Sequence, residues 1–277
     1  MELTNKIDLS IATRIKIKEG EVLSLKIGNE ILWNRPYLQR TQSLQKSAKS
    51  NSIEVPDDIG SIDKFNREFS KYSIFNKLDI LYLLASTDAS RDVNFNRIDF
   101  IKPTRLGTYN GGLSYGLGGI KGNGTNAYFG TSFNPATDAI NYTLNNACRG
   151  VFVSEQSTMS SLDGIMSGNS NMMLNLRVQL QFINQANTGG QNNPIDFRGT
   201  GLKILNRISA TECNGISNGI VTNTTSNSTE IFNSEQVVLR RSNVYGDTSI
   251  GLYFMGGSLT LEEYNIINNA YNNYIAS

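Results

Sequence analysis

The sequence predicts a mainly β fold, a sandwich or jelly roll with short flanking helices, preceded by a small N-terminal β meander. Three observations carry that reading. The chain of 277 residues holds 25 Gly and is rich in Asn, both of them turn formers. After Phe100, short apolar runs alternate with Gly, Asn, Ser and Thr as far as Gly257, which is the punctuation of many short strands. Within that stretch Leu174, Leu176, Val178, Leu180 and Phe182 alternate with Asn175, Arg177, Gln179 and Gln181, so one strand face is buried and the other is wet.

Residues 11–34 read as three short strands. Ile15 and Ile17 alternate with charged neighbours, Leu23, Leu25 and Ile27 alternate again, and Ile31-Leu32-Trp33 follows, with turns at Glu19-Gly20 and Gly28-Asn29. So thin a layer needs a partner surface or a second copy to cover its apolar face. Residues 1–36 are therefore expected to be an attachment module, and the chain a homo-oligomer, dimer or trimer. From 37 to 60 the apolar period disappears and Gln, Ser, Lys and Asn dominate, as in a linker or arm. Residues 61–277 form the body.

The body opens with two expected helices. The first carries Ile62, Phe65 and Phe69 on one face; the second has Asn76 as N-cap and Leu78, Leu81, Tyr82 and Ala85 at i, i+3, i+4 and i+7. Strands are expected over 127–133, 149–153, 202–208, 217–222, 229–233, 236–241 and 249–255, a spacing that suits a sandwich or jelly roll. A last helix begins at Thr260, which forms a capping box with Glu263, and carries Tyr264, Ile267, Tyr271 and Tyr274 on one face.

Composition narrows the chemistry. The 25 basic and 24 acidic residues are interspersed and sum to +1, so no long-range field recruits nucleic acid or an anionic membrane. No apolar stretch reaches the length of about 18 residues that spans a bilayer. The opening Met1-Glu2-Leu3-Thr4-Asn5 lacks the basic and apolar segments of a secretory signal, so synthesis in a cytoplasm is expected. Cys148 and Cys213, the two cysteines, form no metal or redox spacing and are expected to be buried free thiols. The absence of histidine removes the commonest general base and metal ligand, and the chain reads as a non-enzyme.

The remaining motifs point the same way. Gly119, Gly122 and Gly124 match neither a dinucleotide fingerprint nor a phosphate loop, and read as a turn needing positive φ or close packing. A glycosidase would need two facing carboxylates; Glu155 and Asp163 are the nearby acids, without the strand spacing of such a pair. Asp57, Asp58, Asp88 and Asp92 lack the alternating oxygens of a calcium loop and read as solvated acids. The sequons at Asn123, Asn141, Asn223 and Asn227 are chance matches in an Asn-rich chain. No catalytic, cofactor-binding or metal-binding residue is assigned, and no cofactor is expected. Aromatic faces beside amides and hydroxyls suit sugars, which makes Tyr109, Tyr115 and Tyr128, with Trp33, the candidate glycan contacts.

Four stretches resemble a family of virion proteins of tailed bacteriophages and their prophages. They are LDILYLLAS (78–86) with NFNRIDFIKP (94–103), GIKGNGTNAYFGTSFNP (119–135), NYTLNNACRGVFVSE (141–155), and IGLYFMGGSLTLEEYNIINNAYNNYI (250–275). VLSLKIGNEILWNRP (22–36) is similar to short β modules that precede the body of virion proteins. The resemblance implies a concanavalin-like, lectin-like sandwich in a structural protein of the virion: a head fibre, tail fibre or capsid decoration subunit. Its expected partners are other copies of itself, capsid or tail proteins, and cell-surface or mucosal glycans. It would be assembled in the host bacterial cytoplasm. A glycan-binding receptor adhesin of the tail is the alternative, and a glycan-degrading enzyme the third reading.

Overall fold

The structure is a computed structural model that describes residues 14–18, 21–27, 30–34, 37–155, 165–166, 172–173, 185–186, 197, 199–241 and 243–277, with side chains described for 37–155, 197, 199–240 and 243–277. The chain divides between Leu38 and Gln39 into two units. The first is an antiparallel meander of β1 (Arg14–Lys18), β2 (Glu21–Ile27) and β3 (Glu30–Asn34), in that order. Its strands coincide with the alternating runs of the sequence. Trp33 belongs to β3, and its side chain lies outside the described residues.

The second unit opens with α1 (Gln39–Ser50), α2 (Ile59–Lys71) and a 3₁₀ turn (Ile74–Lys77) that leads into β4 (Leu78–Leu83). A second 3₁₀ turn (Val93–Arg97) precedes β5 (Thr108–Asn110), β6 (Ser114–Gly116), β7 (Gly119–Lys121), β8 (Tyr128–Gly130), the short α3 (Pro135–Asp138) and β9 (Ala147–Glu155). Two-residue strands β10 (Ile165–Met166), β11 (Met172–Met173) and β12 (Gln185–Ala186) follow. Then come β13 (Gly201–Arg207), β14 (Glu212–Ser217), β15 (Ile220–Thr225), β16 (Val237–Val238), β17 (Arg240–Arg241), β18 (Val244–Tyr245), β19 (Ser249–Gly256) and α4 (Leu261–Ile275).

These elements make a mainly β sandwich. Among the described residues the large sheet has eight strands in the order β15-β14-β13-β9-β19-β7-β6, with β4 also paired to β19, and its pairings are antiparallel. Period-2 alternation sends its side chains to two different cores. Ile80, Tyr82, Val151, Val153, Leu205 and Tyr253 meet Phe129 and Val238 of the small sheet β16-β8-β5. Tyr82 shows the fit: its ring is edge-on to Phe129 at 5.0 Å, and its hydroxyl donates to the Thr131 carbonyl at 2.7 Å. On the other face Leu81, Leu83, Leu202, Ile204, Leu252 and Phe254 join a core with α1, α2 and α4.

The helices follow their sequence signals. In α2, Ile59, Ile62, Phe65 and Phe69 are buried at helical spacing. In α4 the capping box is complete: the Thr260 hydroxyl accepts from Glu263 N at 3.2 Å, and Glu263 accepts from Thr260 N at 2.8 Å. Tyr264, Ile267, Tyr271 and Tyr274 are buried. Cys148 and Cys213 are both buried.

Several expectations are corrected. Residues 39–50, read as part of a 37–60 linker, form α1, which buries Thr41, Leu44, Ser47 and Ala48. Half of its buried face is polar, so hydrogen bonds stand beside the apolar contacts of Leu44 and Ala48. The Thr41 hydroxyl donates to Asp63 Oδ1 at 2.7 Å and accepts from Asn66 Nδ2 at 3.0 Å, and the Ser47 hydroxyl donates to the Pro103 carbonyl. Residues 78–85, read as a helix, hold strand β4, buried on both faces; so continuous an apolar run fits either period. The expected strand 217–222 is a hairpin whose turn, Asn218-Gly219, has φ of 52° and 75°. Residues 229–233 are irregular, and Leu239 with φ of 68° splits 236–241 into β16 and β17. The alternating segment 174–182 lies outside the described residues.

Candidate functional site

At one margin of the sandwich β5 of the small sheet lies beside β6 of the large one. Tyr109 in β5 pairs with Phe129, and Tyr115 in β6 pairs with Ile120; both partners belong to the core between the sheets. The pleat therefore turns both tyrosines toward the gap between the sheets. Their rings meet edge-on, with centroids 4.9 Å apart. Tyr109 is half-buried against Phe129 at 5.5 Å, and its hydroxyl donates to the Val93 carbonyl at 2.6 Å. Tyr115 keeps 40% of its surface exposed and is the open face of the pair.

Arg97, the last residue of the 3₁₀ turn, completes the cluster with its guanidinium 5.8 Å from the Tyr109 ring centroid. Its Nε donates to the Gly107 carbonyl at 2.8 Å and its Nη1 to Asn94 Oδ1 at 3.2 Å. Asn94 is itself held by Asp92, whose Oδ1 accepts from the Asn94 backbone N–H and from Nδ2, both at 2.9 Å. Burial pushes the Tyr109 hydroxyl well above its ordinary range, with Tyr115 adding to the rise and Arg97 opposing it. Burial also raises Tyr115, again opposed by Arg97. Both hydroxyls stay protonated at neutral pH. The cluster can stack and hydrogen-bond, and it offers no group poised for proton transfer.

Tyr128 does not join it. It lies across β8 from Phe129, opposite Asn110 of β5, so it faces away from the inter-sheet core. Its neighbours there are Arg240, with the guanidinium 4.7 Å from the ring centroid, and Tyr245 at 6.3 Å. The sequence reading missed Arg97 and Asn94. They are far from Tyr115 along the chain, and only closure of the sandwich brings them together.

The other singled-out residues have structural roles. Gly119 has φ of 111°, and a Cβ there would lie 2.0 Å from the Ile250 carbonyl oxygen; a Cβ on Gly122 would lie 2.0 Å from that of Gly246. Backbone approaches backbone at both positions. Glu155 is ion-paired with Lys121 at 2.8 Å, and Asp163 lies outside the described residues. Asp58, read as a solvated acid, is instead buried in an ion pair with Arg91. Asp88 accepts from Ser90 N at 2.8 Å and from the Ser90 hydroxyl at 2.7 Å. Asp99 is fully buried, which pushes its carboxyl up to about 6 against the opposing pull of the Leu81 N–H and of Arg105. It ties Arg105 Nη1 at 2.7 Å to the Leu81 and Ile101 N–H groups. Among the described residues no three Cys, Asp or Glu side chains group as metal ligands, and no helix is long and apolar enough to cross a membrane.

No family model and no curated protein matches the chain in sequence. Solved structures align with it at low identity. Domain 4 of the extracellular arabinanase AbnA from Geobacillus stearothermophilus, in complex with arabinotriose, is 14% identical with a TM-score of 0.46, over 69% of this chain and 98% of that one. Trypanosoma rangeli sialidase in complex with sialic acid is 9% identical with a TM-score of 0.48, over 72% of this chain and 33% of the sialidase. The chain thus spans about a third of the sialidase. With TM-scores below 0.5, neither alignment assigns this chain an activity.

Proposed function

We propose that this chain is a non-enzymatic structural protein of a bacteriophage virion, a head fibre, tail fibre or decoration subunit at the particle surface. The observation that carries the reading is the division between Leu38 and Gln39, which separates a three-stranded meander from a large body with its own cores. That is the organisation a surface subunit needs: a small module to attach, and a folded body to present. The resemblance of residues 22–36, 119–135 and 250–275 to virion proteins supports the same class. The absence of histidine and the ion pairing of Glu155 with Lys121 speak against catalysis. Antibody raised against the purified chain should decorate intact particles of the phage that encodes it. Labelling confined to lysed cells would exclude the virion role.

Receptor binding by the same body is favoured by one feature, the exposed Tyr115 ring braced by Tyr109, whose own ring lies beside the Arg97 guanidinium. A fixed aromatic face beside a guanidinium and an amide suits a hydroxyl-rich sugar ring. Oligosaccharides released from the host surface should bind the chain, and Tyr115→Ala should weaken that binding by roughly tenfold. Tyr128→Ala, on the opposite side of its strand, should leave binding unchanged. Titration calorimetry reads both, and equal losses in the two variants would remove Tyr115 as the site.

A further inference from the structure

We infer that the free edge of β15 is a pairing surface for β15 of a second copy of this chain, so that two large sheets join across a two-fold axis. The inference rests on the strand itself and stands apart from the virion and glycan readings.

Among the described residues, strand β15 closes the large sheet on one side, bonded to β14 and to no other strand. Its register with β14 is unbroken from Ser217↔Ile220 to Glu212↔Thr225. The connection is a two-residue turn at Asn218-Gly219, both with positive φ, so the flanking Ser217 and Ile220 form a hydrogen-bonded pair. Hydrogen-bonded and non-bonded pairs then alternate along an antiparallel ladder. The backbone N–H and C=O groups of Val221, Asn223 and Thr225 therefore point away from β14, along the open edge.

The strand is also open on its faces. Ile220 is 68% and Val221 39% exposed, and Thr222, Asn223 and Thr225 are exposed as well. Exposed edges are normally blunted by shortness, a proline, a charge or a bulge. The opposite end of the sheet follows that rule, since β6 is three residues long and ends in Gly116. Strand β15 has none of these devices: its six residues, Ile-Val-Thr-Asn-Thr-Thr, are uncharged and, apart from Asn223, β-branched.

A second copy is the occupant that this pattern fits. A two-fold interface brings the same patch onto itself and must be self-complementary. With the axis at Asn223, the outward groups of Asn223 meet those of Asn223 of the partner subunit, and Val221 meets Thr225 of the partner subunit. Thr222 then faces Thr224 of the partner subunit. No like charges oppose one another, the β-branched pairs suit cross-strand packing, and the two Asn223 amides can bond across the axis. An uncharged strand gives a differently charged partner nothing to select.

The test uses the full chain and measures its mass by light scattering at micromolar concentration. Asn223→Lys and Asn223→Glu each place like charges on the axis while leaving the bonds to β14 intact. Each variant alone should show half the wild-type mass while still unfolding in one cooperative transition, and an equimolar mixture of the two should recover the wild-type mass. A wild-type chain with the mass of a single copy overturns the inference, as does a Lys variant that keeps the wild-type mass. A halved mass that mixing does not restore overturns the two-fold register.

Discussion

Replacing Arg91 by alanine is expected to lower folding stability by about 3 to 5 kcal/mol, because it strands a buried carboxylate. The Arg91 and Asp58 side chains are 2% and 8% exposed. Arg91 donates from Nη1 to the Ala85 carbonyl at 2.9 Å and to Asn96 Oδ1 at 3.1 Å, from Nε to Asp58 Oδ1 at 3.2 Å, and from Nη2 to Asp58 Oδ2 and the Tyr274 hydroxyl. Asp58 also accepts from Thr87 N at 3.3 Å and from the Thr87 hydroxyl at 2.7 Å. One guanidinium thus joins the start of α2, the segment after β4 and the end of α4. Asp58 stands at the N-cap of α2 but makes no side-chain cap bond, since its carboxylate is committed to Arg91 and Thr87. Removing both charges, as Asp58→Asn with Arg91→Met, should cost less than Arg91→Ala alone. Urea unfolding at neutral pH measures both. A loss of under about 1 kcal/mol for Arg91→Ala would put the pair in the class of exposed ion pairs.

How much of this was readable in the sequence depended on whether an element buries one face or two. The α2 stripe, the Thr260–Glu263 box and the meander were legible because each has one apolar face and recognised punctuation. Strand β4 was not, because Leu-Asp-Ile-Leu-Tyr-Leu feeds both cores and has no polar face to set its period. Helix α1 failed for the opposite reason: its buried contacts at Thr41 and Ser47 are hydrogen bonds, invisible to a hydrophobic period. At the candidate site, composition singled out Tyr109, Tyr115 and Tyr128 but could not sort them. Strand pairing does so, placing Tyr109 and Tyr115 toward one gap and Tyr128 on the other side of β8. Arg97 carried no signal, since its relation to Tyr109 exists only once the 3₁₀ turn packs against β5.

The helical nature of α1 moves the expected limit of safe truncation. A chain beginning at Gln39 should melt as the full-length protein does, because the division between the two units falls between Leu38 and Gln39. A chain beginning at Ile53 lacks α1 and should lose on the order of 5 kcal/mol, or fail to fold. Leu44 and Ala48 are fully buried in the helix-side core, and burying one leucine contributes roughly 1.5 to 3 kcal/mol before the newly bared surface of the neighbouring helix is counted. The polar contacts add to this. Without Thr41, Asp63 Oδ1 and Asn66 Nδ2 lose the hydroxyl that bonds to both of them in a buried setting, a further cost of about 1 to 3 kcal/mol. The cation–π contact of Arg40, 3.9 Å from the Phe75 ring centroid, and its bond to the Phe100 carbonyl go as well. Thermal unfolding of the two truncated chains beside the full-length one separates the cases. A destabilised chain from Gln39 would mean that the meander helps to hold the body. An unchanged chain from Ile53 would mean that α1 covers nothing the body needs. If the chain is a virion subunit, as proposed, adding each to particles that lack the native protein then tests attachment: the stable chain from Gln39 should fail to join, because its meander is gone while its cores are whole.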